Sequence, residues 1–271
     1  MPDTHRTLPG LSYDAYVELR EHDITNDKLD PNEWRLGQAS SWAHWGPCGA
    51  APRITAENRH LSSATSAAGL KATIADLTRI AHTDRAGFEA SPYPLTPSVA
   101  LLGLNFAGSS LDPTSADFAP FHHPGPTSTD HFLRASVELA AFDAGLPGEY
   151  PAPYITDVFK LAPTPYGPDL ARAFDGRSHP AIENGLAVLS FELEVLTRAN
   201  HGRPPLLIAL GDHAHNWLSG TAKHPDAVRF RDLVEQTGSP LHKAVHYANV
   251  GRVSLRASQI EAVLRKAILT G

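Results

Sequence analysis

SVALLGLNFAGSS, residues 98–110, is the stretch on which the fold turns. Its first seven residues form an almost unbroken apolar run, as expected of a strand buried on both faces. An asparagine and a string of small residues come next, so the strand runs straight out into a loop. Three more segments are strand candidates: PYITDVF (153–159), PLLIALG (205–211) and LHKAVH (241–246). Helical spacing fills the intervals, over roughly 127–144, 180–199, a stretch through Trp217 and Leu218, and 225–236, with a last helix ending at Leu269. Ser178 and Ser254 stand where N-caps are wanted, and Pro180 suits a first turn. Strands alternating with helices predict a three-layer αβα domain around a four-stranded, mostly parallel sheet.

Working back from residue 98, the chain reads differently. Residues 11–22 and 64–82 have helix-like spacing, but a Pro-, Gly-, Ser- and Trp-rich stretch separates them, and Pro92, Pro94 and Pro97 mark a boundary just before the first strand. The sequence therefore divides into an N-terminal helical and irregular extension, 1–97, and an α/β domain, 98–271. Trp42 and Trp45 read as packing residues of the extension. With 42% apolar residues in 271, the chain has material for a real core. No apolar run approaches the roughly 20 residues that span a bilayer. The N-terminal MPDTHR has no apolar stretch behind it, which predicts no signal peptide and a cytoplasmic protein. Cys48 is the one cysteine, which excludes an internal disulfide, a Cys-rich zinc site and a four-cysteine iron–sulfur cluster.

Net charge is −6, distributed as −3 over residues 1–90, −6 over 91–185 and +3 over 186–271. A polyanion would meet the last third most readily, with Arg252 and Arg256 among the contacts. In open parallel sheets, ligands bind beyond the carboxyl ends of the strands. Those ends carry Gly103, Leu104, Asn105 and Phe106, then Asp157 and Lys160, then Gly211, Asp212 and His213, then His246, Asn249, Val250 and Arg252. Their convergence on one rim defines the candidate site.

At this rim the residues resemble the uracil-DNA glycosylase superfamily. GLNFAGSS resembles the GLNPG-type first motif of its mismatch-specific branch, and Pro120-Phe121-His122-His123-Pro124 resembles that branch's PF-x-HP segment. YITDVFKLAPT is similar to the ITNVVKCRPP segment of the thermophile-type branch. LLIALGDHAHNWL resembles the ALG-x-x-A strand and helix, and HYANVGR stands where the family has HPS-x-x-x-R. The resemblance covers roughly residues 98–265. It implies hydrolysis of an N-glycosidic bond in DNA, with no metal and no cofactor. Asn105 would orient a water toward C1′ of a flipped nucleotide, Phe121 would stack on the extruded base, and His246 would donate to the base carbonyl as charge develops. Gly103, Leu104, Phe106 and Asn249 would line the pocket. Val250 falls at the apolar wedge that fills the gap in the base stack, and Arg252 lies near phosphate.

The departures carry chemistry too. Phe106 replaces a proline whose ring would fix φ. Tyr247 and Ala248 replace the Pro and Ser of HPS. Asp157 replaces a base-reading Asn; an ionised carboxylate accepts but cannot donate, so it would repel uracil's O4 and favour an exocyclic amine. His122-His123 and Asp212-x-x-His215 match no specific ligand signature, and GLNFAG is neither a dinucleotide fingerprint nor a P-loop. Two other readings stand beside the glycosylase. One is a non-enzymatic or weakly active binder of nucleic acid or nucleotide on the same fold. The other is a hydrolase of a small glycosidic metabolite, which suits the acidic balance better. The partners are thus DNA or a nucleobase-containing small molecule, with no membrane.

Overall fold

The computed structural model describes residues 8–43, 82, 84–91, 94–105, 118, 130–146, 152–162, 167–174, 176–249 and 252–270. Helix α1 (Tyr13–Glu21) and the short α2 (Leu36–Ala39) lead to a two-residue strand, β1 (Ser41–Trp42). A short helix α3 (Arg85–Glu89) precedes β2 (Leu95–Asn105), followed by α4 (Asp130–Asp143) and β3 (Ala152–Phe159). Then come α5 (Gly167–Phe174), α6 (Pro180–Ala199), β4 (Leu206–Leu210), α7 (Asp212–Leu218), α8 (Ala227–Thr237), β5 (Leu241–Ala244) and α9 (Val253–Thr270).

The sheet order is β1-β3-β2-β4-β5. The four strands expected from the sequence are mutually parallel, and β1 adds a fifth, antiparallel, at the edge beside β3. The sheet is therefore five-stranded and mixed. The difference arises because Ser41 and Trp42 give too short a run to show alternation. From β2 the chain moves outward to β3 and then returns across it to β4. The crevice between β2 and β4 is thus the topological switch point, where ligands collect in such sheets.

Side-chain alternation sends Ala100 and Leu102 of β2 to one face and Val99 and Leu101 to the other. The first face is covered by α1, α6, α7 and α8, the second by α4 and α9, which pack along each other. Close approach of α6 requires Gly185, because a Cβ there would lie 2.7 Å from the Val158 carbonyl oxygen. The N-terminal residues are built into the first of these cores. Leu11, Tyr16, Leu19, Trp34 and Trp42 join the same cluster as Tyr154 and Leu189, and the Leu11 amide donates to the Leu95 carbonyl at 2.6 Å. Residues 8–43 thus complete the sheet's apolar cover, and β2 begins at Leu95, ahead of the sequence boundary at 98.

Two caps differ from expectation. Helix α6 is capped by His179, whose Nδ1 accepts from the Ala181 amide at 3.2 Å, rather than by Ser178. Ser254 lies inside α9, which starts at Val253. Among the described residues, no helix is long and apolar enough to cross a membrane.

Candidate functional site at the carboxyl rim

Asn105 is the last residue of β2, opposite Phe159 of β3 in the ladder. It is half-buried, and its Nδ2 donates to the Ala162 carbonyl at 3.3 Å. That bond ties the amide to the loop after β3 and makes Oδ1 its acceptor. Gly103 and Leu104, just below, are buried in the sheet.

His246 lies two residues beyond β5. Its exposed ring stacks on Tyr247, with centroids 4.3 Å apart and planes at 27°. Nδ1 accepts a hydrogen bond from the Ala248 amide at 3.1 Å. A backbone N–H can only donate, so the neutral ring carries its own proton on Nε2. The residues standing in place of Pro and Ser therefore set ring stacking and tautomer.

Between these two groups lies β4. Leu102 pairs with Ala209 and Leu210 with Ala244, and Asn105, Gly211 and His246 all follow at the carboxyl ends of these ladders. Two strand spacings separate β2 from β5, about 10 Å, with β4 running between them. At the end of β4 stands Gly211, at φ 96° and ψ 171°, where a Cβ would fall 3.0 Å from His246 Cβ and 3.1 Å from Cδ2. Glycine is required here both by the backbone and by the seat of His246.

Asp157 pairs with Gly103, two residues below Asn105, and is fully buried. By alternation it shares Ile155's face, toward α4 and α9. On the opposite face, Lys160 and Glu192 form a buried ion pair at 2.5 Å. The Lys160 ammonium also donates to the Asp157 carbonyl at 2.5 Å. Glu192 in turn accepts from Tyr154 Oη at 2.9 Å and Thr156 Oγ1 at 2.6 Å. Burial, reinforced by Glu192, pushes the Tyr154 phenol well above its ordinary range. This network pins the end of β3 from behind and adds no reactive group to the rim.

Asn249 and Arg252 are exposed, and the Arg252 amide closes a turn onto the Asn249 carbonyl at 3.2 Å. Asp212 is held below the usual carboxylate range by Lys243, 3.0 Å away. Arg256, expected among the polyanion contacts, is instead buried, with every N–H committed inside the protein. Phe106, Phe121, Val250, His122, His123, Trp45 and Cys48 lie outside the described residues, as does most of the helix read over 64–82. Among the described residues, no group of three or more His, Cys, Asp or Glu side chains is placed to hold a metal ion.

These features define a class: an α/β protein with a mixed five-stranded sheet and a polar candidate site at its switch point. No family model, no curated protein and no solved structure matches the chain.

Proposed function

We propose that the chain hydrolyses the N-glycosidic bond of a flipped uracil or another damaged base in DNA, in the cytoplasm. The observation that carries this reading is the hydrogen bond from the Ala248 amide to His246 Nδ1, which leaves Nε2 to carry the proton of the neutral ring, on a side chain seated against Gly211 and across β4 from Asn105. Asn105 Oδ1 orients a water toward C1′. The C1′–N bond breaks as the water oxygen bonds to C1′; the base departs with the bonding pair, and the proton the water gives up passes to solvent, which returns one to the base anion. His246 stabilises the charge that collects on the base carbonyl. An amide is no strong base, so the rate rests on positioning and on that donor, with no metal or cofactor required. Asn249 stands exposed at the rim and Gly103 and Leu104 support it from within the sheet, while the wall roles of Phe106 and Phe121 and the wedge role of Val250 are those the resemblance implies. Arg252 supplies a rim cation toward phosphate.

A specific observation favours the small glycosidic metabolite as a second reading. Arg256 is committed internally and the chain is acidic, so fewer cations face a duplex than the sequence suggests. Labelled oligonucleotides carrying uracil, hypoxanthine, xanthine or alkylated bases decide between the two, alongside free nucleosides. Base release from an oligonucleotide, with binding that weakens steeply as salt rises, supports the glycosylase. Release from nucleosides alone supports the metabolite hydrolase, and salt-dependent oligonucleotide binding without release supports the binder.

A further inference from the structure

Beyond β5 the carbonyls of Val245, His246 and Asn249 turn inward. The His246 and Asn249 carbonyls already accept from the amides of Asn249 at 3.0 Å and Arg252 at 3.2 Å. Arg256, in the first turn of α9, adds a second donor to each and ties both to the Val245 carbonyl. Its Nε donates to the Val245 carbonyl at 2.8 Å, and its Nη2 donates to the carbonyls of His246 at 2.7 Å and Asn249 at 3.0 Å. Its Nη1 donates to the Phe132 carbonyl at 3.2 Å and to Ser136 Oγ at 2.9 Å, both on α4. A guanidinium has five N–H groups, and these five hydrogen bonds use all of them. None goes to a carboxylate.

We propose that Arg256 is a positioning residue that templates the loop holding His246, and through the Ala248 amide fixes the ring's Nε2–H tautomer. The inference rests on the reading of His246 as the site's donor. With the carbonyls of residues 245, 246 and 249 drawn onto one rigid fork, the turn between them is set. The Ala248 amide is thereby aimed back at Nδ1. A neutral side chain with one or two donors cannot bridge three loop carbonyls to a helix; the planar fork can. The charge is retained despite its surroundings, since burial alone pulls the Arg256 pKa down to about 10. Anchoring to α4 also couples the loop to the layer beneath Asp157's face.

The test reads the imidazole itself. Nitrogen-15 spectra of the full chain should show His246 as the Nε2–H tautomer. In Arg256→Lys, Nδ1 and Nε2 shifts should move toward an exchange average, and amides 246–249 should exchange with solvent at least about tenfold faster. Amides of β4 should keep their protection. Arg256→Met should do the same more strongly. If it fails to fold, Ser136→Ala, which removes one anchor on α4, supplies the milder perturbation, with a smaller shift in the same direction. An unchanged His246 tautomer and unchanged loop exchange in folded Arg256→Lys would overturn the proposal. These readouts need no substrate, so they stand or fall separately from base release. Where release is measurable, the variant should lose kcat about tenfold with KM little moved.

Discussion

Replacing Gly211 by alanine tests the seat of His246 with a single methyl group. At φ 96° and ψ 171° the residue occupies backbone space essentially reserved for glycine, so alanine costs roughly 1–3 kcal/mol there. The added Cβ would stand 3.0 Å from His246 Cβ and 3.1 Å from Cδ2, closer than ordinary contact. The His246 ring is exposed and can swing outward, so the clash appears as displacement of the ring rather than as further lost stability. Taking about 2 kcal/mol for the backbone, thermal unfolding should shift down by roughly 4–8 °C in a domain of this size. Displacement by a few tenths of an ångström to 1 Å should slow base release by about ten- to a hundredfold. Circular dichroism melting and single-turnover release on the best oligonucleotide measure the two effects. A variant that melts within about 2 °C of wild type and releases base at full rate would refute both the strained Gly211 backbone and the contact with His246.

Buried charge has further consequences. Lys160→Met leaves Glu192 uncompensated and should cost about 3–5 kcal/mol in urea unfolding, and adding Glu192→Gln should return most of it; a single variant within about 1 kcal/mol of wild type contradicts this. Burial holds His22, His82 and His242 below their ordinary value of 6.5, so the unfolded chain binds protons first. Their contribution is therefore complete above pH 6.5 and is lost as pH falls through the lower folded values, so the urea midpoint should drop between pH 7.5 and 5.5, less steeply in His82→Phe; a flat profile contradicts it. Asp157 is fully buried beneath the rim, on the face toward α4 and α9, so Asp157→Asn should leave the ratio of uracil to amino-bearing base release within about twofold of wild type; a ten- to hundredfold rise, the size of roughly 1–3 kcal/mol of mispaired hydrogen bonding, would make it a reader of the base after all.

The apolar runs at 98–104, 153–159 and 205–211 place three parallel strands, because a strand covered on both faces has little choice of composition; LHKAVH at 241–246 is the less apolar edge strand, and its place follows from the strand–helix alternation. β1 was invisible because its identity as a strand comes from pairing with Ile155 and Tyr154, not from its own two residues. Helix α5 was hidden in a stretch that reads as a proline-rich loop. The buried charges were legible in principle. Arg256 falls on the apolar stripe of α9 between Val253 and Ile260, and Glu192 sits on that of α6 between Leu189 and Val195. A charge at such a position signals an internal network, yet Arg256 was assigned to phosphate on charge alone. The tautomer of His246 was not legible, since it depends on the Ala248 backbone N–H. Asp157 reads as a rim residue of a strand expected to end at Phe159; β3 does end there, and two residues of strand beyond Asp157 leave its carboxylate buried beneath the rim.

We propose that Nε2–H of His246 stabilises a departing base across β4 from Asn105. The most direct measurement is single-turnover base release by wild type, His246→Ala and Asn105→Ala, on whichever oligonucleotide the wild type processes fastest, with melting recorded for each protein. The account predicts that wild type releases a base, and that His246→Ala, while still folded, is slower by about a hundred- to a thousandfold, the usual loss when one preorganised donor is removed. Asn105→Ala should fall at least as far. Release by His246→Ala at the wild-type rate, or no release by stoichiometric wild-type protein from any base in the panel, would contradict it.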